Sequence, residues 1–141
     1  MAELHEIVAT RLRRDGQRYT SNRRALVDLL ADGPLTIPEL LGRDRALAQS
    51  STYRNLAVLE KAGVVHRIVT SDEYARYELA EDLTEHHHHL ICSSCGAVAD
   101  FTVSPQLERS LTKAFDRVAG ETGFRAASHR LDLVGLCARC D

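Results

Sequence analysis

The four cysteines of this 141-residue sequence form two Cys-x-x-Cys pairs, Cys92 with Cys95 and Cys137 with Cys140. Two such pairs supply four thiolates, which is the ligand set of a closed tetrahedral zinc site. Two disulfides in a secreted protein, or redox-active pairs that would release a metal on oxidation, are the alternatives. Because no export signal is recognisable and adjacent pairs staple a chain poorly, we expect reduced cysteines, zinc and a cytoplasmic protein.

Four consecutive histidines, His86 to His89, lead directly into an apolar pair and the first cysteine pair. If this segment is extended, alternate side chains point to opposite faces. His86 and His88 would then face one side, and His87 and His89 the other. One tetrapeptide could therefore serve two different metal sites. A purification tag and a plain solvated run of histidines are the alternative interpretations.

The first half of the sequence predicts short helices followed by a β-hairpin. The first predicted helix covers residues 2–14, and the second is capped by Thr20 or Ser21 and closed by Gly33-Pro34. The third opens with the capping box of Thr36 and Glu39. The fourth is capped by Ser50 or Ser51 and runs to Ala62. β-branched residues at 64–69, a turn at Ser71-Asp72 and alternation over 74–79 predict the hairpin. Helices followed by such a wing describe a winged helix-turn-helix domain.

The fourth helix would be the recognition helix, because its first turns are polar and its later residues are apolar. Arg54 could reach guanine, Asn55 could pair with adenine, and Tyr53 could stack on a base or touch a thymine methyl. Ser51 and Thr52 would hold phosphate through their hydroxyl and N–H groups. An ordinary amphipathic helix with a solvated polar face is the alternative.

Charge is distributed unevenly along the chain, although the formal net charge is only −2. Arginines crowd the N-terminal end, at positions Arg11, Arg13, Arg14, Arg18, Arg23 and Arg24. Acids dominate near the histidines, at Glu81, Asp82, Glu85, Asp100 and Glu108. This asymmetry predicts a basic module that meets phosphates and an acidic module that holds cations. No apolar run is long enough to span a membrane, so we expect no membrane partner.

The acidic segment 81–85 is the expected hinge between a DNA-binding domain over residues 1–80 and a metal-binding domain over residues 86–141. Within the second domain, the pattern predicts a strand over 97–103, a helix opened by Ser104-Pro105 and ending near Gly120 or Gly123, and strands over 124–127 and 130–136, with His129 at the start of the last. A module of this size needs a staple, which four-thiolate zinc would supply. The expected fold class is α+β.

These motifs in combination resemble those of the ferric uptake regulator family. The resemblance covers nearly the whole chain and is carried by Gly16-Gln17-Arg18-Tyr19-Thr20 with Arg23, Ser51-Thr52-Tyr53-Arg54-Asn55-Leu56, the histidine run before Cys92-x-x-Cys95-Gly96, His129, and the closing cysteine pair. It implies a homodimeric, metal-dependent repressor that binds operator DNA. It also implies an N-terminal winged helix-turn-helix domain and a small C-terminal α/β dimerisation domain with a four-cysteine zinc site. Arg18 joins the candidate DNA-binding residues.

The resemblance further implies three metal sites. Structural zinc falls on Cys92, Cys95, Cys137 and Cys140. The regulatory site falls on His66, Glu78, His87 and His89, with Glu81, Asp82 and Asp100 as alternative acids. A third site falls on His86, His88, Glu108 and His129. Many iron- and peroxide-sensing members have a histidine in the segment before the third helix, where this chain has Leu35, and the hinge lacks the cysteine of several zinc-sensing members.

The expected function is a sequence-specific repressor that senses zinc and controls metal-uptake genes, most similar to the zinc-sensing branch. Ligation by histidines and a carboxylate suits Zn²⁺, but it would also accept Fe²⁺, Mn²⁺ or Ni²⁺. An iron-, manganese- or peroxide-responsive regulator is therefore the alternative. A zinc hydrolase that uses Glu85 or Glu108 to activate water belongs to another class, as does a metal-storage protein. We expect no enzymatic activity and no small-molecule substrate, because no nucleophile constellation or His-Glu-x-x-His helix is present.

Overall fold

The computed structural model describes residues 2–70 and 74–141, so the turn predicted at Ser71-Asp72 lies outside the described residues. The helices are α1 (Ala2–Arg14), α2 (Ser21–Leu30), α3 (Ile37–Arg43), α4 (Gln49–Lys61) and α5 (Pro105–Thr122), with a 3-10 turn at Glu81–Leu83. The strands are β1 (Leu35–Thr36), β2 (Val65–Ile68), β3 (Arg76–Leu79), β4 (His88–Cys92), β5 (Val98–Phe101) and β6 (Asp132–Gly135). The fold is α+β, as predicted.

Side-chain caps start α2 and α3 where the sequence predicts them. The hydroxyl of Thr20 accepts a hydrogen bond from the N–H of Arg23. Thr36 and Glu39 form both hydrogen bonds of the capping box, at 3.2 and 2.9 Å. Each cap satisfies N–H groups that have no partner within the helix.

The prediction that Ser50 or Ser51 caps α4 is wrong. The helix begins at Gln49, and Ala48 precedes it with an extended backbone and no side-chain cap. Ser51 lies inside the first turn, where its hydroxyl donates to the carbonyl of Ala48 at 3.2 Å. A serine can bond back to a preceding carbonyl in this way without ending or starting a helix.

The N-terminal helices pack on a three-stranded sheet of order β1-β3-β2, all antiparallel. The sequence pattern missed β1, because two residues are too few to show periodicity. A single apolar core joins these elements, and Val8, Leu12, Leu26, Leu56 and Leu59 within it are fully buried. Helices α3 and α4 followed by the β2–β3 hairpin give the predicted winged helix-turn-helix architecture.

Strand β3 departs from the alternation that the sequence predicts. Tyr77 and Leu79 are buried in the core, but Glu78 between them is only 4% exposed. Side chains of a strand alternate between faces, so Glu78 points away from that core. Another part of the molecule must therefore cover it.

The C-terminal sheet has the order β5-β4-β6, with β4 antiparallel to β5 and parallel to β6. The strand predicted over 124–127 is wrong, since residues 124–131 connect α5 to β6 without strand structure. A parallel β6 requires a crossover from the opposite edge of the sheet, and this segment provides part of it. His129 lies in that crossover, before the strand.

Helix α5 ends as predicted near its glycines, with Gly123 at φ 71°. Its residues are not buried within the described chain. Apolar side chains of the second sheet are also exposed, among them Leu133 at 60% and Val134 at 67%. No helix of the described residues combines the length and apolar character required to cross a membrane.

Candidate metal centres and DNA-binding surface

The two cysteine pairs meet at the carboxyl ends of β4 and β6. Because these strands are parallel, Cys92 at the end of β4 lies beside the turn that carries Cys137. The four sulfurs lie within 4.8 Å of one another, and those of Cys95 and Cys137 are 3.8 Å apart. Tetrahedral coordination with Zn–S bonds of about 2.3 Å requires sulfurs about 3.8 Å apart. The cysteine cluster therefore fits zinc, and none of the four cysteines forms a disulfide.

Cys92 is the buried member of this cluster. The backbone N–H groups of Cys95 and Cys137 each lie 3.4 Å from its sulfur. These hydrogen bonds lower the pKa of Cys92 to about 6. The thiolate is the form that binds metal, so the local backbone prepares Cys92 for that role.

The histidine run distributes its side chains to two faces, as the alternation predicts. His87 and His89 join Glu78 and Asp100 in one cluster, which we call the inter-sheet group. His86 and His88 join Glu108 and His129 in a second, which we call the α5 group. Within each group, one potential ligand atom per residue lies within 4.8 Å of the others.

The inter-sheet group explains the burial of Glu78. Its Oε2 atom lies 3.2 Å from Nε2 of His87 and 3.0 Å from Nε2 of His89. Asp100 pairs with His89 across the β4–β5 ladder, and its carboxylate lies 3.5 Å from His89 and 3.7 Å from His87. A tetrahedral ion with ligand distances of about 2.1 Å has ligand atoms about 3.4 Å apart. The group therefore fits a four-coordinate divalent ion.

His66 lies beside this group but is not one of its four members. It pairs with Glu78 across the β2–β3 ladder, and its Nε2 atom is 2.9 Å from Oε1 of Glu78. That contact lacks hydrogen-bond geometry, so Nε2 is buried without a hydrogen-bond partner among the described residues. His66 and Glu78 also line a cavity of about 110 Å³ with His87 and His89. Arg130, which the sequence reasoning missed, lines the same cavity.

The alternative acids occupy different positions. Asp100 belongs to the inter-sheet group, whereas the carboxylate of Glu81 contacts Nδ1 of His86. Asp82 pairs with Arg11, which also donates to the carbonyl of Gly63 at 2.7 Å. Asp82 is thus held by α1 and lies outside both histidine groups. Asp100 is paired with His89 in the β4–β5 ladder, and a prediction of that pairing would have favoured Asp100 over Glu81 and Asp82.

The α5 group combines His88 at the start of β4, and His86 just before that strand, with the helix and the crossover. The Oε1 atom of Glu108 lies 2.9 Å from Nε2 of His86 and also contacts His129. Its Oε2 atom lies 3.0 Å from Nε2 of His88, which is 1% exposed. Glu108 is in the first turn of α5, which Ser104 caps by accepting from the N–H of Leu107. The structure thus brings together the four residues that the resemblance implied for a third site.

Protonation differs among the residues around the inter-sheet group. The hydrogen bond to Glu78 raises the pKa of His89. Burial alone would raise the pKa of Glu78, but hydrogen bonds from His89 and His87 outweigh it and lower that pKa. Burial lowers the pKa of His66 and raises that of Asp100. Protons and a metal ion therefore compete for this group.

Of the residues on α4 that were predicted to bind DNA, two are exposed, and two others are buried or hydrogen-bonded within the protein. Tyr53 is 53% exposed, and Arg54 is also exposed, so both side chains can reach a DNA groove. Thr52 is fully buried, which is incompatible with the predicted phosphate contact through its hydroxyl. Asn55 is half-buried and accepts a hydrogen bond from Arg23 at 3.0 Å. Residues 52 and 55 are three apart, so the helical period places both toward the core. The sequence-based prediction did not take this period into account for these two residues.

The model of the ferric uptake regulator family matches residues 14–134. The chain is 28% identical to the peroxide operon regulator of Bacillus subtilis (strain 168), over 98% of this chain and 93% of that protein. It is 35% identical to the ferric uptake regulation protein of Rhizobium leguminosarum bv. viciae, over 86% of this chain and 84% of that protein.

Among solved structures, the chain is similar to the Helicobacter pylori ferric uptake regulator Fur, which has three functional metal binding sites. The TM-score is 0.73 at 26% identity, covering 99% of this chain and 92% of that one. These relatives are transcription regulators and not enzymes, so the hydrolase interpretation does not apply. The family match spans most of the sequence, including helices α2 to α5, the wing and both histidine groups, and the chain belongs to the ferric uptake regulator family.

Proposed function

We propose that this protein is a sequence-specific transcriptional repressor that senses Zn²⁺ and controls metal-uptake genes. One observation carries the proposal. Glu78 is part of the wing, yet its carboxylate contacts His87 and His89 of the C-terminal module. An ion bound there would have ligands from both modules and would stabilise one relative arrangement of them.

We assign the regulatory ion to the inter-sheet group, with His66 as a further donor. Two imidazoles and two carboxylates form a compact donor set of a kind that Zn²⁺ accepts, and His66 would add a fifth ligand. The buried Nε2 of His66, which has no hydrogen-bond partner among the described residues, supports its inclusion. Glu78 and Asp100 are the assigned acids, whereas Glu81 and Asp82 have other contacts.

The four cysteines would hold a structural zinc, and the α5 group would hold an accessory divalent ion. The cysteine site contributes folding free energy to a module that has little buried core of its own. The α5 group draws all its ligands from the C-terminal module: His86 before β4, His88 at its start, Glu108 on α5 and His129 in the crossover. It would order that module without fixing its position relative to the wing.

The proposed domains are residues 1–80 and 86–141, with 81–85 as the hinge. Ion binding would act through the equilibrium between arrangements of these domains. It shifts that equilibrium only by its different affinity for the two states, typically by about 1–3 kcal/mol. In the favoured arrangement, Arg54 and Tyr53 would enter the major groove.

We further propose that the protein acts as a homodimer through its C-terminal module. Leu90, Leu133, Val134 and Leu136 are exposed side chains that line one apolar cavity of about 400 Å³ on the second sheet. A second copy of the chain, related by a two-fold axis, would cover these residues. The dimer would then present two winged helices to the half-sites of a pseudo-palindromic operator. Exposed apolar patches of this kind mark protein interfaces.

The test is fluorescence-anisotropy titration of the chain's own promoter DNA with protein that retains its cysteine zinc. Buffered Zn²⁺, Mn²⁺, anaerobic Fe²⁺ and Ni²⁺ are compared. Tightening with Zn²⁺ at the lowest free concentration supports the proposal. A response only to Fe²⁺ or Mn²⁺ would mean that the protein senses that metal and not zinc. Loss of the Fe²⁺ response after peroxide exposure would identify a peroxide sensor. Binding that no metal changes would refute the regulatory assignment.

A further inference from the structure

A three-way contact at Arg23 joins the recognition helix to the loop before α2. The Nε–H of Arg23 donates to Oδ1 of Asn55 on α4 at 3.0 Å. Its Nη1 donates to the backbone carbonyl of Arg18 at 2.7 Å and to Oε1 of Gln17 at 3.3 Å. Arg23 itself lies in the first turns of α2. One guanidinium therefore connects the loop, α2 and α4.

We propose that Asn55 is a positioning residue and not a base-reading residue. Together, Arg23 and Asn55 hold Arg18 beside the recognition helix, so that Arg18 and Arg54 meet the same DNA duplex. This inference rests on the DNA-binding role proposed for this surface. It revises the expectation that Asn55 pairs with adenine.

The hydrogen bonding of Asn55 supports this role. Bidentate reading of adenine needs both the oxygen and the nitrogen of a side-chain amide. The oxygen of Asn55 already accepts from a charged donor, and such hydrogen bonds are stronger than neutral ones. Asn55 is also half-buried, whereas its neighbours Tyr53 and Arg54 are exposed. The residues available to the groove are therefore the two that precede Asn55.

The geometry of Arg23 explains how the position of Arg18 depends on Asn55. A guanidinium is planar and rigid, so its Nε and Nη1 donors keep a fixed separation. The Arg18 carbonyl oxygen and the Asn55 amide oxygen are thereby held 2.7 and 3.0 Å from two nitrogens of the same rigid group. The Arg18 side chain is exposed and cationic, which suits a phosphate contact next to the bases that Arg54 would read. Lysine at position 23 would keep the charge but could not hold these acceptors in the same geometry.

The experiment uses full-length, metal-loaded protein and a library of random DNA duplexes from which the wild type selects its preferred sequence. Asn55→Ala, Arg23→Lys and the double variant are then compared for base preference, affinity and salt dependence. Each single change should weaken binding about ten-fold, and the double change should weaken it no further. Base preference should be unchanged at every position.

Salt dependence gives the sharper readout. Neither Asn55→Ala nor Arg23→Lys changes the net charge, so neither would alter counterion release if the two residues were merely structural. If they position Arg18, each should reduce the salt dependence by about one phosphate contact, as Arg18→Gln does. Combining Arg18→Gln with Asn55→Ala should then add no further loss. Gln17→Ala, which removes the longest of the three contacts, should give a smaller effect of the same kind.

Relaxed preference for adenine at one base of each half-site in Asn55→Ala alone would overturn the inference. Additive losses, or an unchanged salt dependence, would also overturn it. Thermal unfolding and zinc content of each variant exclude loss of fold as the cause. If the wild type selects no duplex with any metal, the DNA-binding proposal itself fails, and that outcome is distinct from the others.

Discussion

The Oε2 atom of Glu78 lies 3.0 Å from Nε2 of His89, although the two residues belong to different sheets. Glu78 faces away from its own core and is only 4% exposed, with His87 and His89 in contact with its carboxylate. A buried, ionised carboxylate is costly unless a cation or hydrogen-bond donors compensate its charge. Protonated histidine can fill that role, and the proposed regulatory ion would take its place when it binds.

Glu78→Gln should abolish most of the metal response of DNA binding. The change removes the charge that joins the wing to His87 and His89, so the ion loses the ligand that couples the modules. We expect metal to enhance DNA affinity less than about 5-fold, against roughly 5–150-fold in the wild type. Anisotropy titration measures this, with zinc content confirming that the cysteine site is retained. Glu85→Gln, which removes an exposed acid nearby, is the matched control and should behave as the wild type.

Asp100→Asn and Asp82→Asn distinguish two of the three alternative acids. Asp100 lies in the inter-sheet group, so Asp100→Asn should weaken binding of the regulatory ion by roughly ten-fold or more. Asp82 pairs with Arg11, so Asp82→Asn should leave the ion's affinity unchanged. Chelator-competition titration of the regulatory ion, in protein that retains its cysteine zinc, provides the measurement. The reverse pattern would remove Asp100 from the site and return Asp82 to it.

As the pH falls, binding of the regulatory metal should weaken at a higher pH than it would if the histidine ligands had ordinary pKa values. The hydrogen bond to Glu78 raises the pKa of His89 above 6.5. Binding requires neutral imidazole, so protons compete as soon as the pH falls toward this raised pKa. Burial lowers the pKa of His66, which therefore stays neutral over this range. Zn²⁺ affinity measured from about pH 8 to about pH 6 should fall steadily, and Glu78→Gln should move the fall to lower pH. An affinity independent of pH over this interval would contradict the assignment.

Cys92→Ser should remove the structural zinc and unfold the C-terminal module. Cys92 is the buried member of the cluster, and structural zinc binding is worth on the order of 10 kcal/mol in small domains. Zinc content and thermal unfolding provide the measurements. Ser110→Ala, on the exposed surface of α5, is the control and should retain one tightly bound zinc. Stable folding of Cys92→Ser without zinc would show that the module does not depend on this site.

Leu133→Glu should convert the proposed dimer to monomers. The side chain is 60% exposed on β6, within the apolar surface assigned to the interface. A carboxylate buried at a two-fold axis would have no compensating charge, which makes association unfavourable. Sedimentation velocity measures the mass, and Val69→Glu on the wing controls for added charge. A dimer that persists in Leu133→Glu would place the interface elsewhere.

The sequence predicted most elements that have a local cause. The capping box at Thr36 and the opening of α5 at Ser104-Pro105 were correct because each depends on neighbouring residues. The alternation of the histidine run was likewise sufficient to separate two ligand groups. Pairing across the chain was harder to predict. A strand was expected at 124–127, but no local feature of that segment indicates that it lacks a partner.

The function of individual polar residues depended on tertiary contacts that no spacing encodes. Asn55 has the chemistry of an adenine reader, but Arg23, distant in sequence, occupies its oxygen. Glu81 and Asp82 were equally plausible acids until His86 and Arg11 were found beside them. Asp100 could have been preferred only with the β4–β5 register in hand.

Adjacent side chains of the histidine run belong to different candidate metal sites on opposite sides of the chain, and the peptide bonds between them are short and stiff. Ordering the run around the first ion therefore removes part of the entropy loss that the second would otherwise incur. The two occupancies should be mutually reinforcing. Repression would then switch over a narrower range of free metal than a single independent site allows, and the steepness of the dose–response curve would be a property of four consecutive residues.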